Sequence, residues 1–260
     1  MAVSLVVSRT SIRDQVSAEE WQARVELAAG HRVLAHYGVN DLTYNHFGLR
    51  VPGEPHCMLI KRTDWMFSEV TASSLLKVAF DGTVLTDTDV KTIKGGALII
   101  HAGLMEHRRD LNATLHTHTV AGMGVAAHRL GLLPINQHAI RFYGEIKYHE
   151  FEGFEFDADM TPKLVRDLDA GSFMILRNHG VLVCGGSVAE CVVNHHWLEM
   201  ACKGQIAALA AGEGNYTIPS REACDYAHGQ FVKEGNFLKG GKDWAACLRL
   251  ADRLDPSYKD

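Results

Sequence analysis

The runs Leu115-His116-Thr117-His118-Thr119 and Arg177-Asn178-His179-Gly180 have the residue types and spacing of a divalent-metal site. Residues i and i+2 of a strand point to the same face, so His116 and His118 can converge on one ion. Ala113-Thr114-Leu115 ahead of the first pair, and Met174-Ile175-Leu176 ahead of His179, are apolar lead-ins that favour strands. Three protein nitrogens leave a coordination position open, the arrangement of a catalytic rather than a structural ion. The competing reading makes the His-x-His run a polar strand edge and His179 a turn residue.

The elements around these runs follow from periodicity and caps. Ser17-Ala18-Glu19-Glu20 has the form of a capping box, and an apolar face behind it predicts a helix over 18–37. Residues 42–61 read as strands broken at Pro52-Gly53-Glu54-Pro55. Thr71–Ser74 could start a short helix, and Asp81-Gly82 predicts a two-residue hairpin turn. Helices are expected over 97–108, 119–129 and 160–169, a strand over 113–117, and a β-rich irregular stretch over 134–150. A hairpin-like pair should span 172–184 around His179-Gly180. Ser187 and Glu190 form a second capping box, opening a long helix to about Ala211. A helical tail follows from about 213, interrupted at Gly235 and Gly240-Gly241, and its Tyr216, Tyr226, Phe231, Phe237 and Trp244 could cover a core face or an interface. One α/β domain over 1–260 is the economical organisation.

Composition narrows the function classes. A net charge of −5 over 260 residues argues against nucleic acid or an anionic membrane as the main partner. No segment approaches the ~18 consecutive apolar residues of a membrane span. The start, MAVSLVVSRTSIRDQ, lacks the basic opening and small-residue cleavage site of a signal peptide. Six scattered cysteines without a CxxC pair read as reduced thiols of a cytoplasmic protein. Fifteen histidines cannot all be ligands: His107, His128 and His228 sit among polar positions and read as solvated. His195 and His196 are adjacent on a helix and so do not face one another.

Five stretches in order carry a resemblance to the class II aldolase/adducin family. They are Asn45–Gly53, Glu69–Leu75, Leu115–Thr119, Gln137–Gly144 and Leu176–Gly180. The resemblance covers about residues 18–212 and implies a three-layer α/β fold with a central, mainly antiparallel sheet and helices on both sides. It implies a homotetramer with sites at subunit interfaces and a small-molecule substrate. It also implies a divalent ion, Zn2+ first and Mn2+ or another as alternatives, on His116, His118 and His179.

The departures matter too. Sugar-phosphate aldolases of this family carry Ser-Ser-Glu ahead of the His-x-His strand, for phosphate and for acid/base work. Here that place holds Gly95-Gly96-Ala97, so a phosphorylated substrate is disfavoured, although the backbone of Gly95 and Gly96 could still bind an anion. Glu106 and Asp110 lie further along and read as solvated. The asparagine loop is altered to Tyr44-Asn45-His46, with Asn45 a substrate-binding candidate. Acid/base candidates are His46, His138 and Tyr143, with His101 equally readable as a core residue. His138 stands where the aldolases place a tyrosine that reaches the neighbouring site, or else it simply packs. Arg50 could pair with a substrate carboxylate or a buried acid, and Arg141 is its alternative.

The expected function is a metal-dependent carbon–carbon lyase, of aldolase or decarboxylase type, on a small non-phosphorylated hydroxy-carbonyl or hydroxy-aromatic acid. The alternatives are a non-catalytic assembly module like the adducin head and a sugar-phosphate aldolase or epimerase.

Overall fold

The computed structural model describes residues 11–154, 157–212, 214–235 and 239–260. The opening stretch to Thr10 and the tail residue Phe237, both read above, lie outside them.

The side-chain oxygen of Ser17 accepts from the amide of Glu20 at 3.1 Å and starts α1, Ala18–His36. Strands β1, His46–Val51, and β2, Glu54–Ile60, are antiparallel and turn at Gly53, whose φ of 77° suits glycine. The expected helix start at Thr71–Ser74 is a turn. The Ser74 hydroxyl donates to the Thr71 carbonyl at 2.8 Å and accepts its amide at 2.9 Å, which closes the turn on itself. Strand β3, Leu76–Ala79, enters the Asp81-Gly82 turn, and the second arm returns along it through the single bridge Val78–Val84, the Ala79 amide donating to the Thr83 carbonyl at 2.9 Å and the Leu85 amide to that of Lys77 at 2.8 Å.

Helix α2, Gly96–His107, leads to β4, Ala113–Thr117, and then α3, Val120–Ala127. The 134–150 stretch is less β-rich than its composition suggests. The Asn136 side chain accepts from the amides of His138 and Ala139, both at 3.0 Å, and nucleates a short helix α4, Gln137–Ile140, before β5, Ile146–His149. Then come α5, Thr161–Leu168; β6, Phe173–Leu176; β7, Gly180–Gly185; and α6, Val188–Leu209. Helices α7, Arg221–Lys233, and α8, Gly241–Leu254, form the tail.

The seven strands lie in the order β3-β2-β1-β4-β7-β6-β5, antiparallel except for the β5–β6 pair. Period-two alternation divides each strand between two cores. Phe47, Leu49, Leu115, Val181 and Val183 face a core shared with α1, α3 and α6. Met58, Ile60, Leu182 and Cys184 face the opposite side, under α2 and α5. Helices therefore cover both faces of one sheet. Among the described residues no helix is long and apolar enough to cross a membrane. All six cysteines are free thiols.

Candidate metal centre

The same alternation that buries Leu115 on the α6 side turns His116 to the α2 side. Cross-strand pairing sets His46 of β1 directly opposite it, with ring centroids 5.0 Å apart. His118 lies just past the end of β4, held where the Asn45 side-chain oxygen accepts its amide at 2.9 Å. His179 comes from the tight β6–β7 connection. There Asn178 takes a left-handed φ of 56°, a conformation its short polar side chain tolerates. A Cβ at Gly180 would lie 2.4 Å from the Thr117 carbonyl oxygen, so only glycine lets β7 approach β4 closely enough to deliver His179.

The three Nε2 atoms converge. His116 and His118 are 2.8 Å apart, His118 and His179 3.0 Å, and His116 and His179 3.3 Å. A tetrahedral ion at about 2.0–2.1 Å from each nitrogen would hold them roughly 3.3 Å apart. The far sides of two rings fix their tautomers. His116 Nδ1 lies 3.0 Å from the Val181 carbonyl oxygen and His118 Nδ1 lies 2.9 Å from Asp41 Oδ2. Those partners only accept, so each Nδ1 carries the proton and each Nε2 turns a lone pair inward. Converging lone pairs repel unless a cation lies between them, and this donor set fits a divalent ion. Burial, with the neighbouring histidines adding to it, holds His116 well below the ordinary imidazole pKa, in the neutral form a ligand needs.

The three histidines open onto a cavity of about 770 Å³. Its lining includes Asp41, His46, Lys61, Gly96, Ala97 and Phe154. Burial first, and His101 second, keep His46 neutral as well. His46 Nδ1 is 2.6 Å from His101 Nε2, and His101 Nδ1 is 2.5 Å from the Thr114 hydroxyl, a chain running from the cavity into the sheet. His101 is fully buried, and a Cβ at Gly48 would crowd its ring at 3.0 Å.

Other residues singled out by sequence lie elsewhere. Gly95 caps α2 with φ 70° and does not line the cavity, whereas Gly96 and Ala97 do. Arg50 donates to the carbonyls of Met105, Arg108 and Leu111 at 2.7, 3.4 and 2.9 Å, and to that of Pro55, and does not line the cavity. Neither His138 nor Tyr143 lines this chain's cavity. The His138 ring stacks on Trp197 with centroids 4.8 Å apart, and burial followed by Arg141 lowers its pKa. Arg141 lies over the Trp197 ring at 4.0 Å. Glu106 is exposed and Asp110 pairs with Arg108 at 2.7 Å.

His107 is exposed as expected, whereas His128 and His228 are half-buried. His228 Nδ1 faces the Arg141 carbonyl at 3.1 Å and its Nε2 faces Glu145 at 3.3 Å, which ties the tail to the α4 region. His195 and His196 diverge: His195 meets the Thr117 hydroxyl at 2.7 Å, while His196 packs on Tyr37 with ring centroids 4.6 Å apart. Sequence reasoning passed over Asp41, which holds the His118 ring, and Lys61, which follows an apolar strand into the cavity. A lone lysine after Met58-Leu59-Ile60 was the available signal.

The sequence profile described as Class II Aldolase and Adducin N-terminal domain matches residues 25–206. A Caulobacter vibrioides protein whose name places it with the class 2 aldolases is 37% identical over 250 residues, covering 96% of this chain and 96% of that protein. Rat alpha-adducin is 36% identical over 244 residues, covering 89% of this chain and 33% of adducin. The crystal structure of an aldolase II superfamily protein from Pseudomonas syringae superimposes with a TM-score of 0.91 at 42% identity. That match spans 96% of this chain and 100% of the other.

Proposed function

The chain belongs to the class II aldolase and adducin family, and on that premise we propose that it is a divalent-metal-dependent carbon–carbon lyase. Its substrate is a small, non-phosphorylated hydroxy-carbonyl compound or hydroxy-aromatic acid, cleaved by a retro-aldol step or decarboxylated. The observation that carries this reading is the convergence of three Nε2 atoms within 3.3 Å of one another at a cavity sized for a small molecule. His116, His118 and His179 hold the ion, Zn2+ first and Mn2+ second. When bound, it supplies Lewis acidity toward a substrate oxygen as the C–C bond breaks.

The chain's own residues do the rest. Neutral His46, across the strand pair from His116, is placed to take the substrate hydroxyl proton in a retro-aldol step, or to return a proton to the carbon whose C–C bond has broken. Asn45 holds the His118 backbone, and Asp41 holds its ring. Gly96 leaves the start of α2 open to substrate, just past the Gly95 cap. Arg50 serves from outside the cavity by clamping β1 to the end of α2. His138 and Tyr143 are assigned to the site of a neighbouring copy in a homotetramer.

The match to alpha-adducin favours a second reading, a non-catalytic assembly module. The two are separated by metal content. Purified wild type should carry about one divalent ion per chain, and the His116→Ala/His118→Ala double variant should carry none. A wild type that stays folded and metal-free after incubation with zinc or manganese would end the lyase reading. A protein that turns over only phosphosugars would end the non-phosphorylated one.

A further inference from the structure

Lys61 directly follows β2 with only 3% of its surface exposed, yet it lines the same cavity as the three histidines. Its Nζ donates to the carbonyls of Thr43 at 2.9 Å and Arg62 at 3.1 Å, which uses two of its three N–H bonds. It forms no ion pair among the described residues. The nearby carboxylates are committed elsewhere: Asp64 to the Arg62 guanidinium, and Glu69 to the Met66 amide at 2.7 Å. A buried ammonium without a counter-charge costs stability, so a fold that keeps one beside a ligand cavity leaves the counter-charge to the ligand.

The rest of the lining says what the anion is attached to. Ile60, Ala97, Ile100 and Met123 are apolar walls, and Phe151 and Phe154 stand at the exposed rim with ring centroids 5.9 Å apart. Among the described residues no arginine lines the cavity, and the one lysine that does, with one uncommitted N–H, suits a monoanion better than a dianion. Thr43, Tyr44, Thr63 and Asn178 also line the cavity, but a polyhydroxylated body lying along the Ile60, Ile100 and Phe154 side would leave its hydroxyls there facing carbon.

We propose that Lys61 is the anion anchor of this site, and that the cavity takes a carboxylate carried on an aromatic or similarly flat apolar body. The inference rests on reading the cavity as a metal-lyase site and names its substrate class. Within the hydroxy-carbonyl and hydroxy-aromatic alternatives it selects the aromatic acid. The carboxylate lies toward Lys61, and the ring lies between Ile100 and the phenylalanine rim.

The test is calorimetric titration of the full-length protein, with its metal content measured, against benzoate, benzamide, acetate and inorganic phosphate. Wild type should bind benzoate at least about tenfold more tightly than each of the other three probes. Lys61→Met should lose that preference by about the same factor at unchanged metal content, and Lys61→Arg should restore it in part. Phe154→Ala, at an exposed rim position, should weaken benzoate about threefold or more and leave acetate unchanged.

Equal benzoate binding by wild type and Lys61→Met would overturn the anchor, as would a Lys61→Met that no longer folds, since the lysine would then be structural. A wild type that favours phosphate or acetate, or binds no probe at millimolar concentration, would overturn the substrate class. The two layers separate cleanly. Metal-free protein that still binds benzoate through Lys61 would end the lyase reading alone. Metal-replete protein blind to benzoate would end this inference alone.

Discussion

His46 and His116 are direct cross-strand partners on β1 and β4, with ring centroids 5.0 Å apart and an interplanar angle of 42°. The sheet itself thus sets a neutral acid/base candidate beside a candidate metal ligand, without help from a loop. Removing the ring should separate the two roles. His46→Ala should lower turnover of the substrate that screening yields by about 10²–10⁴-fold while the ion stays bound. Parallel rate and metal measurements check this, and a variant that loses metal and rate together would make His46 a ligand instead.

Asp41 acts through His118, whose Nδ1 it meets at 2.9 Å. Asp41→Asn should weaken metal affinity by about 10–100-fold with little change in fold, because the ring loses its carboxylate orienter. Competition against a chelator gives the number. Unchanged affinity would show that β4 alone orients the ligand.

Two glycines should respond in opposite directions. A Cβ at Gly180 meets the Thr117 carbonyl at 2.4 Å, a backbone atom that cannot step aside, so Gly180→Ala should lower stability by about 1–3 kcal/mol and disturb the metal site with it. In α7, a Cβ at Gly229 meets nothing within 4 Å. Gly229→Ala should raise stability by up to about 1 kcal/mol through helix propensity. Denaturant midpoints of the pair check both signs.

Acid stability is set by buried neutral histidines. Burial, more than any neighbour, drops His31, His101 and His195 to about 3 from the ordinary 6.5. The unfolded chain therefore binds more protons than the folded one between these values. Stability is intact above about pH 6.5 and falls as pH drops toward 3, by about 1.4 kcal/mol per unit for each such group. His31 packs between Phe47 and Phe67, with ring centroids 5.7 and 4.5 Å away. In His31→Gln the slope of unfolding free energy with pH should become shallower across that window. An unchanged slope would show that His31 titrates normally in the folded state.

Much of the site was legible in the sequence because its geometry is local. The i, i+2 spacing of His116 and His118 needs only a strand, and the apolar lead-ins of β4 and β6 announce those strands. The capping serines of α1 and α6 likewise satisfy amides three residues on, so those helix starts were readable. Short polar side chains spoiled other expectations. At Asn136 and Ser74 a side chain outcompetes the pattern around it, turning a β-rich composition into a helical turn and a helix start into a closed turn.

What the chain alone determined is the candidate donor set, three histidines of the right type, and the family to which the order of its motifs belongs. What only the tertiary structure decided is which other groups meet them. Asp41 reaches His118 across 77 positions of sequence, His101 reaches His46 across 55, and Lys61 joins them in one cavity while Arg50 is drawn away to backbone carbonyls. Strand order β2-β1-β4-β7 sets those distances, and strand order is fixed by which faces bury apolar surface over the whole sheet. No spacing in the sequence encodes it.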